Sequence, residues 1–217
     1  MNGLMTTGRI HAHRPRTLAW PCAALAMLLS GCVSDQQKYD AIVAVNQEFR
    51  AQYEATLAEK GTRDYALRRD DAFRAMSKAL TELGMQLESV DQSLGFMSFY
   101  SAAPTPLSEE DWRATVEADL PRLREIVRPY LGFFAQFIRF EPEGLEIVVS
   151  ATVLDTTPGS AISLTVRMRQ IAPPRSGMPR RDYLPPTGFR IGIDKVWTRF
   201  ELETGRSRAL PRQPTAR

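Results

Sequence analysis

Two stretches of strict alternation constrain this chain more than anything else in it. Leu145, Ile147, Val149, Ala151 and Val153 alternate with polar or smaller residues, and Ile162, Leu164, Val166 and Met168 alternate with Ser163, Thr165, Arg167 and Arg169. Successive side chains of a strand point to opposite faces, so each stretch predicts a strand with one apolar face. The residues between them, 156–160, carry Pro158-Gly159 and predict a turn, which makes the pair the core of an antiparallel meander. The outward face of the second strand carries hydroxyls and arginines, the ordinary dress of a solvated surface. A sheet with one apolar face must be covered. The densest helical stripe in the chain is suited to that: Phe189, Ile193, Val196, Trp197 and Phe200 fall at i, i+4, i+7, i+8 and i+11 behind Gly188.

Upstream, Tyr39, Ile42, Val43, Val45, Phe49, Tyr53 and Leu57 recur at helical spacing and predict an amphipathic helix from Gln36 to about Lys60, ended by Gly61. The stripe is too short and irregular for sustained heptads. It suits a helix packed on the domain, a stalk or a coiled-coil seam. Residues 62–67 predict a short strand. A helix follows, with Asp70 or Asp71 as N-cap, Phe73, Met76, Leu80 and Leu83 on one face, and Gly84 as the stop. Extended character from Met85, a turn at Asp91-Gln92-Ser93 and the stretch 94–100 predict a hairpin, with Gly95 as a bulge or a point of close backbone approach. Ser108-Glu109-Glu110-Asp111 opens a helix whose serine can bond the amide three residues on. Trp112, Val116 and Leu120 lead to Pro121, and Leu123, Ile126, Val127, Tyr130 and Leu131 continue to Gly132. Residues 107–131 therefore read as a broken helix pair inserted between two halves of the sheet. Phe133 to Glu141 is aromatic and apolar, and Pro142-Glu143-Gly144 is a turn.

The N-terminal region gives an address. From Leu18 to Leu29 the chain is almost wholly apolar, preceded by Arg9, Arg14 and Arg16, with no acid before Asp35. That is the charge order of an export signal, and the run is shorter than the roughly 20 residues a membrane span requires. It closes on Leu29-Ser30-Gly31-Cys32, which resembles the lipobox of bacterial lipoproteins. The resemblance implies that a peptidase cuts before Cys32, that the cysteine sulfur carries a diacylglycerol, and that acyl chains such as palmitate hold the mature chain to a membrane. Val33 stands where lipoproteins kept in the inner membrane of enteric bacteria carry aspartate, so the resemblance favours the outer membrane and a periplasm-facing domain. An ordinary secretory signal that happens to contain a cysteine is the plainer alternative.

Removal of that signal takes Lys+Arg from 28 to 25, equal to the 25 acids, so the apparent basic balance gives no reason to expect nucleic acid. About 185 residues remain, enough for one domain with a sizeable core. Cys22 would leave with the signal and Cys32 would carry lipid, so no disulfide is expected. The only histidines, His11 and His13, also lie in the signal. Histidine-dependent nucleophilic catalysis, histidine-ligated zinc and histidine acid-base chemistry therefore lack their residues in the mature chain.

The order helix, hairpin, insert, meander, long C-terminal helix suggests an antiparallel sheet wrapped on a helix. From Tyr65 to Ser101, with Phe73, Leu80 and Gly84 in the helix and Asp91 and Gly95 at the hairpin, the chain resembles the repeated unit of the NlpB/BamC outer-membrane lipoproteins. The likeness covers under a quarter of the mature chain and transfers no functional residue. It implies an accessory role in envelope assembly. Those lipoproteins carry a long unstructured segment after the lipid and two such domains, whereas this chain shows a helix there and one domain.

Among candidate sites, Glu109, Glu110 and Asp111, or Glu117 with Asp119, are paired acids of the kind glycosidases use, but helix-start acids are the commoner reason for such runs. No EF-hand spacing is present, and neither a metal nor a cofactor is expected. The loop from Ala172 to Thr187 holds five prolines with Arg175, Arg180 and Arg181. Prolines pre-set an extended chain and arginines pair with carboxylate or phosphate, so these arginines with Tyr183 form a candidate partner-binding loop; a plain connector is the alternative. Phe96, Phe99, Phe137, Trp197 and Phe200 would line an apolar cavity between sheet and last helix, or simply be core.

The expected protein is α+β, an antiparallel β-sheet packed against helices in a helix-grip-like way, with an N-terminal amphipathic helix. Its expected organisation is a signal at 1–31, an anchor and helix at 32–61, a domain at 62–204 and a disordered basic tail at 205–217. The expected role is a non-catalytic scaffold or accessory subunit in outer-membrane assembly or maintenance. Its expected partners are the membrane, through the N-terminal acyl chains, and an envelope protein. A periplasmic carrier for a lipid or other hydrophobic ligand is the second expectation.

Overall fold

The computed structural model describes residues 33–172 and 183–205. The chain divides into two compact units, Met1–Ser34 and Asp35–Arg217, and every described helix and strand belongs to the second. In chain order these are α1 (Asp35–Lys60), β1 (Thr62–Tyr65), α2 (Arg69–Glu82), β2 (Gln86–Asp91), β3 (Phe96–Ala102), α3 (Glu109–Leu131), a 3-10 helix (Gly132–Phe137), β4 (Leu145–Asp155), β5 (Ser160–Gln170) and α4 (Pro186–Thr204).

The five strands form one antiparallel sheet in the order β1-β5-β4-β3-β2. Its period-2 pattern sorts the faces as the alternation requires. Ile147, Val149, Ala151 and Val153 of β4, with Ile162 and Leu164 of β5 and Met97 and Phe99 of β3, are buried on one side. Helices α2 and α4 close that side with Ala72, Met76, Ala79 and Leu80 and with Phe189, Ile193, Val196, Trp197 and Phe200, all in one apolar cluster. The fold is thus α+β, an antiparallel sheet packed against helices. On the other side Thr165, Arg167 and Arg169 are exposed. Ser98 is buried there between Glu88, 2.9 Å away, and Ser150, at 3.2 Å.

Gly95 carries the close approach expected of it. Its φ is +69°, and a Cβ there would stand 2.1 Å from the Val153 carbonyl oxygen. Arg69 ties the same corner, donating to the carbonyls of Gln92 (2.7 Å), Ser93 (2.8 Å) and Val153 (3.2 Å). Those bonds fix where α2 starts and correct the expected cap. Arg68 occupies the N-cap without a side-chain bond, while Asp70 and Asp71 lie in the first turn, where their charge suits the helix dipole.

Two other boundaries differ from expectation. Helix α3 is one continuous helix of 23 residues and not a broken pair, with Pro121 and Pro129 inside it. Both prolines are exposed, so water can satisfy the carbonyls they leave unbonded. Helix α4 begins at Pro186, with proline at the first helical position, so Gly188 lies inside the helix. There it permits close packing against α3, since a Cβ would sit 3.0 Å from Thr115 Cγ2.

Helix α1 belongs to the same compact unit as the sheet. It puts Ala41, Val45 and Phe49 into a second apolar cluster with Trp112, Leu123 and Val127 of α3 and with Ala135, Ile138 and Phe140. Tyr53 and Leu57, in its second half, pack on the main core. Of the expected stripe, Tyr39 is exposed.

Candidate functional site

Three ion pairs orient the helices that build one end of the molecule. Lys60, at the C-terminus of α1, lies 2.6 Å from Asp194 of α4. Asp111, at the start of α3, pairs with Lys195 of α4. Between them Glu48 of α1 meets Arg122 of α3 at 3.5 Å. Helices α1 and α3 are therefore antiparallel. Counting back from Glu48 to Asp35 gives about 20 Å along α1, and forward from Arg122 to Leu131, where α3 ends, about 14 Å, at 1.5 Å per residue. The end of α3 therefore lies beside the first half of α1, and the 3-10 helix folds back there, the Ile138 carbonyl accepting from Arg124 at 3.4 Å and the Phe140 ring lying 6.1 Å from that of Phe49.

That 3-10 helix has two unlike sides. Ala135 and Ile138 point into the seam between α1 and α3 and are buried, helped by Phe140, whose ring lies 6.1 Å from that of Phe49. With three residues per turn, Phe134 and Phe137 fall on one line facing away. Phe133, Phe134 and Phe137 are 73%, 45% and 60% exposed. Their rings nevertheless cluster, with Phe133 at 6.2 Å from Phe134 and 5.4 Å from Phe137, edge to face. Beside them is an open groove of about 330 Å³ lined by Arg124, Arg128, Gly132, Phe133, Ala135 and Gln136. Glu125, the acid on that turn, is engaged by Arg122 at 3.3 Å. The aromatic run at 133–141 was legible in the sequence, but its splitting into buried and exposed sides was not. The signal available was three phenylalanines within five residues of a glycine stop.

Leu29, Ser30, Gly31 and Cys32 lie outside the described residues, as do Arg175, Arg180 and Arg181 of the loop and the basic tail. Tyr183 is described and half-buried. Its ring lies 5.4 Å from Tyr53, itself 4.6 Å from Phe189, so the end of the loop is pinned where α1 meets α4.

The candidate carboxylates serve helix ends. Ser108 and Asp111 form a reciprocal capping box at the start of α3. Burial pushes the Asp111 carboxyl up, but bonds from Lys195 and Ser108, with the lysine's charge, outweigh it and hold the group down at about 2. Asp119 accepts from the Thr187 amide at 2.8 Å and hydroxyl at 2.7 Å. Burial raises its pKa against those bonds and the charge of Arg190. Glu109, Glu110 and Glu117 are exposed. Among the described residues no group of three or more metal-ligating side chains is gathered.

The five aromatics considered as a cavity lining are not brought together. Phe99, Trp197 and Phe200 are buried in the core, with Trp197 and Phe200 ring to ring at 6.3 Å. Phe96 is on the alternate face of β3 from Phe99, and Phe137 is in the exposed cluster on the 3-10 helix.

No family model matches the chain, and no curated protein or solved structure matches it. The functional reading rests on the chain's own residues.

Proposed function

We propose that this is a lipid-anchored envelope lipoprotein, held to the outer membrane through Cys32 and acting as a non-catalytic scaffold or accessory subunit in envelope assembly or maintenance. One observation carries the reading: Leu29-Ser30-Gly31-Cys32 closes an apolar run that follows three arginines and precedes every acid in the chain. Two or three acyl chains, at about 0.8 kcal/mol per buried methylene, anchor a domain durably where one alone is marginal. Helix α1 begins three residues after the cysteine, so the domain would be tethered by lipid close to the bilayer. No described helix is long and apolar enough to cross a membrane. A binding role fits a molecule whose best-placed acids, Asp111 and Asp119, are occupied in holding helix ends.

The test is the mass of the N-terminal peptide from the membrane fraction, together with the partition of Cys32→Ala. A diacylglyceryl cysteine at position 32, and release of the variant from membranes, are expected. An unmodified Cys32, or firm retention of the variant after the signal is removed, overturns the anchor. A crosslinking pull-down of the lipidated protein from native envelopes then identifies the partner, and the absence of any reproducible protein partner overturns the scaffold role.

A further inference from the structure

We infer that Phe133, Phe134 and Phe137 form a second, noncovalent membrane contact, which docks the α1 end of the domain onto the phospholipid surface to which Cys32 is tethered. This inference rests on the anchor proposed above and adds a bilayer-facing surface to it.

Phenylalanine normally ends in a core, yet here three are held together in solvent by a segment fastened through its buried residues. Ala135, Ile138 and Phe140 fasten the segment to the α1–α3 seam, so the rings are displayed on a fixed support. An exposed apolar cluster of this kind marks a surface that meets something apolar.

The position of the cluster says what that is. Glu48 against Arg122, and the meeting of Lys60 and Asp111 with neighbouring residues of α4, put the end of α3 and the 3-10 helix folded back on it beside the half of α1 that begins at Asp35. Three residues take the chain from Cys32 to Asp35, and an extended chain advances at most about 3.6 Å per residue. An acylated Cys32 would therefore hold Asp35 within about 11 Å of the lipid. Among the described residues, this aromatic cluster, with exposed Tyr39, lies on the half of α1 that such a short tether holds near the bilayer. Exposed Arg128 lines the adjoining groove, where its guanidinium suits a phospholipid phosphate while the rings enter the headgroup–acyl boundary; Arg124, also in the lining, donates to the Ile138 carbonyl at 3.4 Å.

The consequence is orientation. A lipid tether alone lets a domain swing, whereas a tether with an aromatic foot fixes its tilt. The far ends of α1 and α3, where Lys60, Asp111, Asp194 and Lys195 meet, would then face away from the bilayer.

The test uses the full chain, processed in a lipoprotein-making bacterium and reconstituted into vesicles of phosphatidylethanolamine and phosphatidylglycerol. In the lipidated chain Cys32 is blocked and Cys22 is gone with the signal, so Phe133→Cys, Phe137→Cys and Leu94→Cys each introduce the sole free thiol. Leu94 is a control, 66% exposed in the β2–β3 turn. Each thiol receives an environment-sensitive fluorophore, and its quenching by lipids spin-labelled on the acyl chain is read. Quenching at 133 and 137 about twofold or more above that at 94, with a blue-shifted emission, is expected for groups at the headgroup–acyl boundary. If Cys32 proves lipidated by mass while 133 and 137 are as water-exposed as 94, the membrane contact is overturned and the anchor stands. This holds even if a protein covers the rings in whole envelopes. If Cys32 carries no lipid, the anchor and this inference fall together.

Discussion

Asp119 of α3 caps α4 from another helix: its carboxylate oxygens accept the Thr187 amide at 2.8 Å and the Thr187 hydroxyl at 2.7 Å. Helix α4 enters through Pro185-Pro186 and has no side-chain cap of its own, so the negative charge and both acceptors come from outside. Asp119→Ala is expected to lower unfolding stability by about 1 to 2 kcal/mol in urea titrations. Asp119→Asn retains an acceptor and should cost less. Equal losses in the two variants would show that the bonds to Thr187 do not matter.

Trp197 is 1% exposed, with its indole N–H donating to the Lys60 carbonyl at 2.8 Å and Arg63 stacked 4.8 Å from the ring centroid. It joins the end of α1 to α4 and the sheet. Trp197→Ala should cost about 3 to 5 kcal/mol, the range for removing a buried large aromatic. Trp197→Phe keeps much of the volume but strands the carbonyl, at about 1 to 3 kcal/mol. An alanine variant with unchanged denaturation midpoint would contradict this packing.

Patterns whose physics is local were readable in the sequence. The alternation in β4 and β5 and the stripe in α4 place their residues on the faces that the periodicities demand. Ser108 and Asp111 formed the capping box their spacing promised. The continuity of α3 was not readable, because a proline breaks a helix only when its orphan carbonyl has no other partner, and exposure at 121 and 129 depends on which face α1 covers. The work of Asp119 was equally hidden, since its partner is 68 residues away. The aromatic run at 133–137 showed composition but not direction. Its buried side is set by Phe49 and Val127, in helices that the sequence alone does not bring together.

Gly95 holds the β2–β3 turn against β4. Its φ is +69° and a Cβ would stand 2.1 Å from the Val153 carbonyl oxygen, itself bonded by Arg69. Gly95→Ala therefore adds a steric clash with backbone to the left-handed penalty of about 1 to 2 kcal/mol, and a total loss above about 2 kcal/mol is expected. Hydrogen exchange should show the loss concentrated at the turn and the neighbouring end of β4. Gly205, also at positive φ (+62°), has open space where a Cβ would stand, with nothing within 4 Å, so Gly205→Ala should show the conformational penalty alone.

Asp111 and Asp119 give the acid response opposite signs. Asp111 is held at about 2 against an ordinary 3.8, with burial opposed by stronger bonds from Lys195 and Ser108. A carboxyl depressed on folding contributes stability that is complete above its unfolded value and is lost as pH falls through the folded one, here between about 4 and about 2. With its partial exposure discounted, that contribution is about 1 kcal/mol. Asp119 is raised by burial, so its effect runs the other way: the folded state binds its proton more readily, and stability declines as pH rises just above 3.8. Asp111→Asn should flatten the loss below pH 4, whereas Asp119→Asn should remove the decline above it. Urea midpoints measured from pH 2 to 6 separate the two, and an Asp111→Asn variant with unaltered acid sensitivity would show that the Lys195 pair contributes nothing to holding α3 against α4.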